Sequence, residues 1–60
     1  MTRQIFVSTR PEPGEVLEVM TSSVENIGEE VEIIQGKNVV AVGVVTEWTG
    51  NYTYQVLVVA

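Results

Sequence analysis

Two stretches of this chain, Val39 to Val45 and Val56 to Val59, carry apolar side chains at odd and even positions alike. Successive residues of an extended chain point to opposite faces, so each stretch is apolar on both sides of any sheet that holds it. A single sheet with one covered face should instead alternate apolar and polar residues. Residue type points the same way. Val, Ile and Thr together make up 23 of the 60 residues, against 2 Leu. Such side chains are stiff at χ1 and favour the pleated surface of a strand. A strand-dominated chain with more apolar surface than it can cover alone is therefore expected.

Size sharpens this expectation. Sixty residues make one domain, residues 1–60. A domain of that length buries only about 60% of its unfolded surface, and its core contributes roughly 3–5 kcal/mol. Small domains usually add a disulfide, a metal or a second copy. The chain has no Cys and no His, which removes the disulfide and the ligands zinc prefers. Self-association, most simply as a dimer, is the remaining means, with Val40, Val42, Val44, Val56 and Val58 as its expected interface.

Along the chain, residues 3–9 alternate as a short strand, and the segment Arg10-Pro11-Glu12-Pro13-Gly14 breaks it. Residues 14–27 carry a helical period. Val16, Leu17, Met20, Val24 and Ile27 form one stripe, and Glu15, Glu18, Ser22, Glu25 and Glu29 lie opposite. Pro13 and Gly28 fit the two helix ends. Glu15 to Val19 is also compatible with a strand. Residues 30–34 resume alternation, Gln35 to Asn38 reads as a hairpin turn, and residues 39–48 read as the longest strand. Thr49 to Asn51 forms a second turn before a last strand over residues 52–60. The expected fold is α+β: a small β-α-β-β(-β) domain whose antiparallel sheet carries one helix on a face and is completed by homo-oligomerisation. Ala41 and Gly43, small and on one face, would receive that helix or a partner sheet.

The charge balance limits the partners. Eight acidic residues, all Glu, face three basic ones, for a net charge of −5. That disfavours nucleic acid and anionic lipid, and suits a basic protein. No apolar run approaches the ~20 residues of a membrane span. The MTRQIF start has no secretory pattern, so a cytoplasmic protein is expected. Acid–base and nucleophilic chemistry find no signature. There is no His, no Gly-x-Ser-x-Gly around Ser8, Ser22 or Ser23, and no glycine-rich phosphate loop. A non-enzymatic protein without cofactor or metal is expected.

Three features remain as candidates. Trp48, Tyr52 and Tyr54 flank the second turn, where strand pairing would bring aromatics together as hairpin packing or as a partner surface. The Glu face of the helix, with Glu15, Glu18, Glu25 and Glu29, is either solvated or an acidic docking surface. The C-terminal strand is either central or paired with a second copy. The strand–helix–long-hairpin order with its acidic helix face resembles dodecins, small flavin-storing proteins that assemble as hollow dodecamers. Trp48 and the Tyr54-Gln55 pair are similar to the Trp and Gln used there for flavin, although Trp48 stands at the end of the long strand rather than near its start. As a class, small acidic chains without catalytic groups also resemble phage-encoded inhibitors of host proteins. The expected function is a self-associating protein-interaction module that inhibits or modulates another protein. Alternatives are a dodecin-like oligomer sequestering a planar ligand such as flavin, and a structural assembly subunit.

Overall fold

The β-branched bias dominates the computed structural model, which describes residues 3–20, 26–50 and 52–60. Five strands, β1 (Arg3–Val7), β2 (Val16–Met20), β3 (Glu30–Gln35), β4 (Asn38–Gly50) and β5 (Thr53–Val58), form one sheet in the order β1-β3-β4-β5-β2. The sheet curls into a half-barrel, and no helix occurs among the described residues. This overturns the α+β expectation. The sheet is also mixed rather than antiparallel, because β1 pairs in parallel with β3.

The helix expected over residues 14–27 is replaced by β2 over Val16–Met20, while residues 21–25, including Glu25, lie outside the described residues. The physical reason lies in the pattern itself. Leu17 and Val19 turn inward and are half-buried, whereas Val16 and Met20 are 54% and 79% exposed. A helical stripe would have required Val16, Leu17 and Met20 to be buried together. β5 instead offers a long-range ladder, with Val16 opposite Leu57 and Met20 opposite Thr53. Pro13 and Gly28, read as helix punctuation, are turn residues. Glu15 N–H donates to Glu12 O at 3.1 Å, with Pro13 and Gly14 central and φ of 92° at Gly14. Glu29 N–H donates to Asn26 O at 3.1 Å, with Gly28 again at φ 92°. Both follow the type II pattern, which needs positive φ at the third residue.

β3 and β4 form the hairpin expected at Gln35 to Asn38, with Gly36 at φ 65° in the first central position of a two-residue loop. β4 is 13 residues long and loses register three times: around Val40, Thr46 and Thr49. Each extra residue bends the strand and increases its twist, which is how a flat ladder becomes a curled one. Thr46 Oγ1 donates to Gln55 O at 3.4 Å, and the Thr49 hydroxyl meets that of Thr53, so two of the displaced residues are tied back to β5.

The concave face holds the core. Val31, Ile33, Val45, Tyr54, Val56 and Val58 are each 0–1% exposed. Ile5 from β1 closes one side, and half-buried Val7, Leu17, Val19 and Trp48 pack around the rest. Gly43 is needed here. A Cβ at that position would collide with Val56 Cγ1 and lie 3.2 Å from Leu57 O. The close neighbour of the small-residue pair is thus the chain's own β5, not a helix. The convex face carries a second apolar set that includes half-buried Val42 and Val44, whereas half-buried Val40, the extra residue of the first bulge, packs against the core of Ile33, Ala41 and Val58.

Candidate functional site

The two strands at the ends of the sheet, β1 and β2, are both edges. β3 and β5 are each antiparallel to β4, β1 runs with β3, and β2 runs against β5. It follows that β1 and β2 run in opposite directions along the open side of the half-barrel. Between them lies a cleft of about 330 Å³. Ile5, Val19 and the buried Tyr54 line its apolar part, and Phe6 and Met20 stand at its lips, 71% and 79% exposed. Arg3 and Gln4 complete the wall. Arg3 is engaged within the chain, and Gln4 Nε2 donates to Glu32 Oε1 at 3.3 Å.

The backbone of β2 can be assigned group by group. Val58 N–H donates to Glu15 O at 2.9 Å. Antiparallel ladders alternate, so the C=O of Glu15 and the N–H and C=O groups of Leu17 and Val19 face β5, while the Glu15 N–H is held by Glu12 O in the preceding turn. Those of Val16, Glu18 and Met20 point away from the sheet, into the seam. An edge of this kind is a template for another strand unless charge, proline or a covering element blocks it. β2 contains no proline and one charged residue, Glu18.

The convex face beside this seam is acidic around an apolar band. Register places Glu18, Gln55 and Glu47 in one row across β2, β5 and β4. Val16, Leu57, Val44 and Glu30 form another. Glu32 lies on the same face of β3, opposite Val42. Lys37 is in the β3–β4 turn, Arg10 is beyond β1, and Arg3 shares the face of Val31, so none of the three cations belongs to these rows.

The remaining sequence candidates are dispersed. Glu15 follows the Pro13-Gly14 turn, and Glu29 precedes β3, where its carboxylate accepts a 3.4 Å bond from Asn26 N–H. With the helix absent they share no helix face with Glu18. Trp48 and Tyr54 do meet, with ring centroids 5.9 Å apart and planes tilted by 57°. Simple alternation puts Trp48 on the Val40 face. The register shift at Thr46 moves it to the concave face beside Tyr54, 1% exposed. Tyr52 sits in the turn at φ 65°, 73% exposed and apart from Tyr54. Val56 and Val58 are spent in the chain's own core, Val40 packs against that core, and Val42 and Val44 line the convex face. Sequence reasoning missed Ile5, Phe6, Val19 and Met20 as a group. One signal was present: Phe6 is the aromatic on the otherwise polar face of the first strand, with Gln4 and Ser8.

In comparison with known proteins, the chain matches no family model, no curated protein and no solved structure. The element order that carried the resemblance to dodecins is not the order of this chain, because its helix is replaced by β2.

Proposed function

We propose that this chain is a non-enzymatic protein-interaction module that takes its partner at the open seam between β1 and β2. The observation that carries this reading is two strand edges with no strand partner among the described residues, flanking an apolar cleft, with Phe6 and Met20 held out at its lips. Large apolar side chains beside an unpaired edge favour association, because covering them removes apolar surface from water and supplies partners to the backbone. The acidic convex face adds a preference in charge. It favours a basic partner over a second copy, since two chains at −5 repel. Val56 and Val58, at 0% and 1% exposure, already serve the chain's own core and add nothing to an interface between copies.

The test is to pan a random peptide display library against the immobilised chain. Enriched peptides should lose affinity by about tenfold or more with Phe6→Lys and Met20→Lys, the scale expected for a buried apolar anchor. Both residues are exposed, so the variants keep the fold. Peptides that bind both variants as tightly as the parent would place the site elsewhere and sink the reading.

A further inference from the structure

The seam defines the sequence class of what binds it. We infer that the occupant is an extended segment with alternating apolar and basic residues, added antiparallel to β2; this rests on the seam being the interaction site. The outward N–H and C=O groups of Val16, Glu18 and Met20 present an antiparallel ladder to it. A strand added there inherits the period of β2, because directly opposed residues share a face. Its residues opposite Val19 turn toward the cleft, over Tyr54 and Ile5. Its residues opposite Glu18 turn to the convex face, where Glu18 and Glu47 flank Gln55 in one row. Backbone bonds supply affinity, and the alternating pockets supply selectivity: apolar inward, cationic outward.

Charge decides between this occupant and a second copy. An antiparallel pair of β2 strands centred on Glu18 sets two carboxylates directly opposite, and like charges opposed across a ladder destabilise it. A strand with Lys or Arg at that place does the reverse. The same strand would run parallel to β1, the opposite wall, so it fits the polarity of both edges and extends the half-barrel by one strand.

The experiment uses the whole chain and three capped ten-residue peptides: alternating Val and Lys, alternating Val and Glu, and the Val/Lys composition in two blocks. Binding is read from Trp48 fluorescence, because Trp48 packs on the Tyr54 ring at the cleft, and from amide exchange. The alternating Val/Lys peptide should bind best and slow exchange at the Glu18 and Met20 amides. Glu18→Lys should weaken it roughly threefold to fivefold and turn the preference toward Val/Glu, the scale of one cross-strand charge pair. Equal binding of all three peptides, a preference untouched by Glu18→Lys, protection confined to β3 and β4, or no binding at all would overturn the inference. Display peptides that depend on Phe6 and Met20 but lack alternation would leave the seam as the site and overturn only this sequence class.

Discussion

The β3–β4–β5 meander and the two flanking strands are built on different terms. The meander is joined by short turns and supplies most of the fully buried side chains, from Val31 and Ile33 through Val45 to Tyr54, Val56 and Val58. The flanks reach the sheet by long-range pairing, β1 with β3 and β2 with β5, and each has one edge without a strand partner among the described residues. β1 contributes one buried residue, Ile5, and β2 contributes none below the half-buried class. The meander therefore holds the fold, and the flanks shape the surface offered to a partner.

This contrast can be broken most directly in the core. Ile33→Ala, at a fully buried position, should cost about 2–5 kcal/mol. That is the whole stability expected of so small a domain, so circular dichroism should show an unfolded chain. A folded variant with a cooperative melt would mean that the flanks carry more than assigned here. Gly43→Ala is next. Overpacking against Val56 should cost roughly 1–3 kcal/mol, read as a lower denaturation midpoint with unchanged slope. Gly14→Ala forces an L side chain to positive φ in the turn leading into β2, at a cost of about 1–2 kcal/mol. Its effect on exchange should be concentrated at β2 rather than in the meander; uniform loss of protection would erase the distinction between the regions. Smallest is Met20→Lys, which should shift stability by no more than about 0.5 kcal/mol while weakening seam binding by about tenfold or more. A large drop in melting temperature would make Met20 part of the core instead.

The same division governed what could be read from the residues. The meander was legible because its signals are local: apolar runs of strand length, the Gly36-Lys37 loop, and alternation at Val31 and Ile33. The flanks were not. Over five residues, Val16, Leu17 and Met20 satisfy a helical stripe as well as Leu17 and Val19 satisfy a strand. What decides is β5, some forty positions away in sequence. The bulges were equally hidden. Nothing local marks Thr46 as an extra residue, so simple alternation puts Trp48 on the face of Val42 and Val44, and only the register shift turns it to the concave side. Glu18 was legible as an acidic surface position, but its neighbours Glu47 and Gln55 became neighbours only through the sheet.

The parallel pairing of β1 with β3 has a kinetic consequence. Between Val7 and Glu30 the chain travels to the far end of the sheet, adds β2 beside β5, and returns. Gln35 Nε2 holds Ser8 O at the departure, and Gly14 N–H holds Val58 O at the arrival. Both flanks depend on β3 to β5 being in place, and the closure entropy of their long loops is spent before any contact returns it. Folding should then be ordered, with the hairpins first and the edges last, and slow for sixty residues, in the millisecond-to-second range of topologies rich in distant pairings. By the same order, β1 and β2 are the first strands to open when the native chain fluctuates.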